Sequence, residues 1–368
     1  MSSESSDDMR ILFLPNWKVV QPSEDVADIQ APDKFVKGEP YWFFKHFNTA
    51  VKVDIIDFQQ GNLLSFIEKK CNTYIWQGVK AFFSKKNYDV VISHGAQSGL
   101  VYSLLRTIFF RTKPVHIIFD IGSMNGAREN IIENRLIQWV LRSNPSVICH
   151  SKIIIENYKI RYKNLVTRSK FIPFGVDVDD FKPQPPPQDT HYILSFGASK
   201  RDYKTLLEAW STINTTYKLR LIGYQQPLSV ENVEVIKKVT IAELRTHIAN
   251  SLFVVIPLPV FNYSYGQMSF LQSMSMGKPV VVTRTPSSVD YLHDGKGAFL
   301  VNPYDVADMK AKLEQLLNNH QLCSEMGRQA RQLVADDFSE KQMAVKVECF
   351  IQEVLASANL FISSPCKK

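Results

Sequence analysis

Cysteine is scarce and scattered: Cys71, Cys149, Cys323, Cys349 and Cys366 are the five in 368 residues, with no CxxC pair and no His-rich neighbour. That spacing argues against a disulfide framework and against a zinc site, so reduced, mainly structural thiols are expected. Apolar runs long enough to span a bilayer, about eighteen residues or more, are missing as well. The opening MSSESSDDMR is polar and acidic and lacks the basic-then-apolar order of a signal peptide. A cytoplasmic location is expected, with the inner face of a membrane as an alternative. No Lys/Arg run interleaved with aromatics and no helix-turn-helix or zinc-finger spacing occurs, which sets nucleic acid aside as a partner.

What the chain does have is ordinary globular composition, 45% hydrophobic and 21% charged, with a net charge of +7. The positive excess is spread over both halves. It suits solubility, and is compatible with anionic substrates or an anionic membrane surface. The length exceeds what one core usually serves, so two domains are expected.

The first half repeats a strand-then-helix pattern. Strands are read at 10–14, 51–57, 88–93, 115–119 and 146–150, and helices at 41–44 onward, 62–86, 97–111, 129–142 and 151–163. Residues 18–40 form a long loop, which after a first strand is often functional. In 62–86 aromatic and basic residues alternate at helical spacing, giving a helix packed on the sheet or, alternatively, one lying on a membrane surface. The prolines Pro183, Pro185, Pro186 and Pro187 mark an extended linker within 171–190.

The pattern then restarts, with strands at 192–196, 218–222 and 233–236, helices at 203–213 and 241–250, and an amphipathic stretch over 322–356. Its centre is residues 252–301. An apolar run, Leu252 to Leu258, reads as a buried strand. A loop with Asn262, Ser264, Tyr265 and Gly266 leads into a helix carrying Met268, Leu271 and Met274, which Gly277-Lys278-Pro279 stops before a second strand. This βαβ unit presents its loop and helix start at the carboxyl edge of a parallel sheet, where ligands sit. The expectation is an α/β protein of two Rossmann-like domains facing each other across a cleft: 1–170, linker 171–190, 191–340, and a terminal helix and tail over 341–368 that returns to the first domain.

Three segments together resemble the retaining, nucleotide-sugar-dependent glycosyltransferases of family four. Residues 172–183, IPFGVDVDDFKP, are similar to that family's interdomain segment. Residues 195–209, SFGASKRDYKTLLEA, look like its glycine loop and basic helix start, and QSMSMGKPV at 272–280 resembles its E-A-M-A-x-G-K-P-V. The resemblance implies the GT-B fold, a nucleoside-diphosphate sugar as donor, a glycan, lipid-linked or small-molecule acceptor, and no metal or other cofactor in catalysis.

It also implies donor contacts. Gly197 would let the backbone approach the phosphates, with Arg201, Lys200 and Lys204 supplying charge; solvated surface cations are the plain alternative. Where the family has two glutamates eight positions apart, this chain has Ser264 and Gln272. Gln272 can still accept from a ribose hydroxyl, with a solvent-facing helix residue as the alternative, but Ser264 offers no carboxylate. Tyr265, Gly266 and Gln267 are then the candidates for sugar and phosphate contacts. Asp120, at a strand end, either acts at the donor sugar or caps the backbone of Gly122 or Ser123. Asn16, in a first-strand loop without the family's Gly-Gly, and His94 are acceptor-side candidates. Asp177, Val178 and Asp179 mimic a DxD metal motif but lie in the linker and are discounted. Besides transfer with retention, a non-catalytic subunit that binds a partner or glycan and a sugar-nucleotide epimerase remain open.

Overall fold

The computed structural model describes residues 8–20, 32–36, 38–57, 65–71, 73–124, 131–185, 192–228 and 230–363. The chain forms two compact units, one of residues 1–172 and 344–368, the other of 173–343. Each is built on its own six-stranded, all-parallel sheet.

In the first unit the strands are β1 (Met9–Leu14), β2 (Val51–Ile55), β3 (Val90–His94), β4 (Val115–Asp120), β5 (Ser146–Cys149) and β6 (Ser169–Phe171), in the order β2-β1-β3-β4-β5-β6. Every residue of β3, β4 and β5 is buried, whereas the edge strand β2 is half-exposed. Strands covered by helices on both faces need near-continuous apolar runs, and these have them. The helices are α1 (Ser65–Cys71), α2 (Ile75–Phe82), α3 (Ala96–Ile108), α4 (Ile131–Val140), α5 (Lys152–Arg161) and α6 (Lys163–Val166).

The second unit repeats the plan with β7 (Tyr192–Phe196), β8 (Lys218–Ile222), β9 (Val233–Ile236), β10 (Val254–Ile256), β11 (Val280–Thr283) and β12 (Ala298–Val301), in the order β12-β11-β10-β7-β8-β9. Its helices are α7 (Tyr203–Trp210), α8 (Ile241–Ala249), α9 (Gln267–Ser275), α10 (Val306–Leu317) and α11 (His320–Asp337). The last helix, α12 (Glu340–Ser363), begins in the second unit and continues into the first, where Glu348 accepts the amides of Asn48 and Thr49 at 2.9 and 2.7 Å.

Both sheets change direction once: strand order reverses between β1 and β3 in the first unit and between β7 and β10 in the second. At such a switch point the connections leave in opposite directions and open a crevice beyond the carboxyl ends of the two strands. The fold therefore designates two places for ligands, after β1 and β3, and after β7 and β10.

Several expected elements differ in detail. The stretch 62–86 forms two short helices, α1 and α2, with residues 62–64 and 72 outside the described set. The helix expected to reach Arg111 ends at Ile108, and the amphipathic stretch 322–356 is divided at Phe338 and Ser339. There the backbone of Val176 bonds Phe338 and Glu340 at 2.9 and 2.8 Å. The expected linker is thus packed into the second unit through Phe181, and a Cβ on Gly175 would lie 2.6 Å from the Ser339 carbonyl. Pro186 and Pro187, the loop residues Asn125 and Gly126, and most of the 18–40 loop lie outside the described residues.

Candidate functional site

At the switch point of the second unit, β7 ends at Phe196 and the chain turns through Gly197, whose φ of +126° places it in a region that favours glycine. The turn folds back on itself because Arg201 grips it. The guanidinium donates from Nε to the Phe196 carbonyl at 3.0 Å and from Nη1 to the carbonyls of Ser199 and Lys200 at 3.3 and 3.2 Å. A side chain on Gly197 would have its Cβ 2.5 Å from Arg201 Nη2. Tyr203 adds a bond from its hydroxyl to the Gly197 carbonyl at 2.8 Å.

Nη2 of Arg201 then reaches Ser269 Oγ at 2.8 Å, in the first turn of α9. That turn is the second part of the site. Gly266 is its N-cap at φ +81°, and no side chain caps it. A Cβ there would meet Leu258 at 2.9 Å, so glycine is needed both for conformation and for close packing on the end of β10. Leu258 is itself fixed, its amide donating to Thr283 Oγ1 at 2.8 Å. The first amides of a helix have no intrahelical acceptor, and the helix dipole adds positive potential to them.

Charge at this corner is one-sided. Burial lowers the pKa of Arg201 from its usual value, yet a guanidinium keeps its charge, and among the described residues no carboxylate pairs with it. The loop and helix from Pro257 to Lys278 contain no Asp or Glu. A partly buried cation beside an uncapped helix start is arranged to receive an anion.

The other expected donor residues fall in different places. Lys200 has φ +53° and holds its Nζ 4.5 Å from the ring of Tyr263, which stacks on Phe261 at 5.0 Å. Lys204 points along the exposed face of α7 toward Glu208 at 3.9 Å. The start of α7, expected to offer free amides, is capped by Asp202, which accepts from the Thr205 amide at 3.2 Å and its hydroxyl at 2.6 Å. Of the two helix starts the open one is α9. Tyr265 donates its hydroxyl to the Pro259 carbonyl, and burial pushes its pKa up to about 12. Ser264 is half-buried.

Gln267 and Gln272 are both buried, so Gln272 is not the solvent-facing residue that was the alternative. Nε2 of Gln267 has no hydrogen-bond partner among the described residues. A buried amide donor left open beside an anion-ready corner fits a ligand acceptor. Ser269 carries little signal in the sequence beyond a small hydroxyl three residues after the N-cap glycine.

In the first unit the switch point brings together Asn16, just beyond β1, and His94, the last residue of β3. Asn16 Oδ1 lies 3.0 Å from His94 Nδ1. Burial, with His150 nearby, lowers the His94 pKa to about 3, so the ring is neutral. Nδ1–H then donates to Asn16, which leaves Nε2 as an acceptor. Trp17 packs edge-on against this imidazole at 4.7 Å and Phe119 stacks on it at 5.7 Å.

Asp120 lies one strand away from the switch point, fully buried. Its Oδ1 accepts from the Gly122 amide at 2.8 Å, Ser123 Oγ at 3.3 Å and the Met124 amide at 3.4 Å, while Oδ2 accepts from the Tyr158 hydroxyl. Desolvation raises its pKa in spite of these donors. With both oxygens engaged by the chain's own donors, the carboxylate caps the loop at Gly122–Met124, the second of the two readings. Asp177, of the DxD lookalike, accepts the amides of Asp179 and Asp180 at 3.0 and 3.1 Å, and Asp180 pairs with Arg245 at 3.2 Å.

Residues 190–319 match the family model described as Glycosyl transferases group 1. An uncharacterized glycosyltransferase of Methanocaldococcus jannaschii is 23% identical over 274 residues, 71% of this chain and 73% of the relative. A glycosyltransferase structure from Rickettsia africae superposes with a TM-score of 0.68 at 15% identity, over 95% of this chain and 99% of that one. The Anabaena protein HepE in complex with UDP and glucose gives 0.64 at 16% identity, over 95% and 100%. The chain therefore has the two-sheet Rossmann-like fold of the GT-B glycosyltransferases, and its second unit carries a stretch matching glycosyl transferases group 1.

Proposed function

We propose that this chain transfers a sugar from a nucleoside-diphosphate sugar to an acceptor hydroxyl, with retention at the anomeric carbon. The observation that carries the reading is the Arg201–Ser269 contact: a guanidinium with no carboxylate partner among the described residues, fixed to the first turn of a helix that no described side chain caps, at the sheet's switch point. A diphosphate has the charge and the several acceptor oxygens that this corner lacks. Gly197 and Gly266 keep the backbone low around it, Gln267 offers its open amide, and Gln272 is the candidate for the ribose. HepE, of the same fold, is in complex with UDP, which makes a uridine nucleotide the first donor to test.

In this reading the positive corner stabilises charge as it develops on the departing diphosphate, which is where preorganised donors act. The leaving phosphate oxygen takes up the acceptor's proton, so a strong protein base is not needed. His94 Nε2, a neutral acceptor held by Asn16, is placed to orient an acceptor hydroxyl on the first unit. No metal enters: Arg201 and the α9 start supply the positive charge, and turnover should survive chelation by EDTA. A cytoplasmic setting in glycan biosynthesis suits the buried unpaired thiols of Cys149 and Cys323.

Calorimetry with UDP on the wild type and on Arg201→Ala, followed by a panel of UDP-sugars assayed for hydrolysis and transfer, tests the proposal. Absence of both nucleotide binding and turnover would remove it. A second reading is favoured by one observation, the lack of any carboxylate from Pro257 to Lys278. It is a subunit that binds nucleotide or glycan without catalysis, and binding without turnover on any donor would select it.

A further inference from the structure

The amino edge of the first unit's sheet, opposite the edge that carries His94, has a surface with no task in sugar transfer. Helix α3 ends at Ile108, and the six residues 108–113, IFFRTK, are all exposed. Phe110 is 90% exposed and Phe109 54%, and Phe83 at the end of α2, 60% exposed, packs edge-on to Phe109 at 6.4 Å.

Phe110 is also strained. It occupies the position after a helix end where the backbone turns left-handed, at φ +52°, with the Arg111 amide closing back on the Arg106 carbonyl at 3.0 Å. Glycine or asparagine usually stands there, because a bulky side chain raises the cost of that conformation. Nothing within the unit repays the cost, since the ring projects into solvent.

Beside these rings runs a groove of about 1190 Å³, lined by Phe110, Arg111, Lys113, Trp139, Arg142 and Arg168 among others. A second hollow of about 630 Å³ adjoins it, sharing Trp139, Arg142 and Arg168 and adding Arg135, Arg161 and Lys163. Among the described residues that line the two hollows Glu353 alone is acidic, and Lys170 neutralises it at 2.7 Å. None of Arg111, Lys113, Arg142 and Arg168 pairs with a carboxylate among the described residues.

We infer that this face docks on an anionic phospholipid bilayer, with Phe109 and Phe110 entering the interface and the groove cations taking headgroup phosphates. A soluble polyanion would be matched by the cations and leave three aromatic rings without a purpose. An apolar protein partner would bury the rings at the cost of desolvating unpaired arginines. A bilayer surface offers both, apolar depth for the rings and a plane of negative charge for the cations. Of the stretch 62–86, read from sequence as a sheet-packed or a membrane-surface helix, Phe83 belongs to this face; the centre of the face lies at 106–113 and 135–168. The inference stands apart from the proposed transferase reading, because it uses the opposite edge of the sheet.

The test is co-sedimentation of the full chain with vesicles of phosphatidylcholine alone, or with about one third phosphatidylglycerol, at low and high salt. The expected result is binding to the anionic vesicles at least about tenfold above the neutral ones, weakened by salt. Phe110→Asn, chosen because asparagine accepts the left-handed backbone, should reduce it about tenfold with unchanged melting temperature. Arg142→Glu combined with Arg168→Glu should abolish it, and UDP affinity should be unaltered in both variants. The inference is overturned by no anionic-vesicle binding, or by Phe110→Asn binding like wild type. It is equally overturned if soluble polyphosphate binds as tightly as the vesicles, or if the patch instead drives a dimer that Phe110→Asn dissolves.

Discussion

The two sheets are near-repeats, yet their carboxyl edges are finished in opposite ways. In the second unit, among the described residues, a guanidinium has no carboxylate partner, a helix start has no side-chain cap and a buried amide nitrogen has no partner. In the first unit Asp120 has both oxygens filled, Ser123 Oγ accepts the first amide of α3 at 2.9 Å, and the buried histidines are neutral. A shared fold fixes where a crevice opens. Which crevice attracts an anion is decided by the sign of the polar groups left open: donors and a cation after β7 and β10, acceptors such as His94 Nε2 and Gln97 Oε1 after β1 and β3.

That contrast can be broken at either edge. The largest effect is expected from Asp120→Ala, which removes three donors' acceptor and strands the buried Tyr158 hydroxyl. It should cost about 3 kcal/mol of stability, read by denaturant unfolding, with UDP affinity intact. A variant as stable as wild type but defective in transfer would return Asp120 to the reaction. Arg201→Ala should cost about 2 kcal/mol of UDP binding by calorimetry. Unchanged affinity would mean that the open corner in the second unit is not the anion site.

A pH comparison sharpens the first unit. Burial lowers His94 to about 3 and His150 to about 4, from an ordinary value of 6.5. The unfolded chain therefore binds more protons, so the stability these rings contribute is whole above pH 6.5 and drains away as pH falls toward 3–4. At about pH 5 each should have lost about 2 kcal/mol relative to about pH 7. His94→Gln should show a correspondingly smaller drop in melting temperature over that interval; an equal drop would show that His94 does not stay neutral. The smallest effect is expected at Lys204, exposed and 3.9 Å from Glu208. Lys204→Ala should change stability by about 0.5 kcal/mol or less, and a large loss of UDP affinity would show that the side chain swings into the site.

Much of the fold was legible because strands covered on both faces must be apolar throughout, and YILSF, VVI and VVVT leave little alternative. Strand order is another matter. The reversal between β7 and β10 is not written in any residue, and it is what puts the Gly197 turn beside the start of α9. Local sequence made α7 look like the anion-binding helix, since it follows a glycine and two cations and carries a third, Lys204, in its first turn. The same stretch held the correction: Asp202 is an N-cap residue, and a capped start has spent its amides. Asp120 read ambiguously for a similar reason, because a strand-end carboxylate looks alike whether it faces a substrate or its own loop. Only the burial of Tyr158 against it separates the two.

The way α12 runs back has a consequence for biosynthesis. The second unit is one uninterrupted stretch of chain, whereas the first is sewn from residues at both ends, with Glu348 holding the amides at Asn48 and Thr49. During vectorial synthesis the earlier-made unit must wait, incomplete, while its successor is made and can already fold. Translation order and order of completion are therefore reversed, and a premature stop within α12 would injure the half of the protein that was synthesised first.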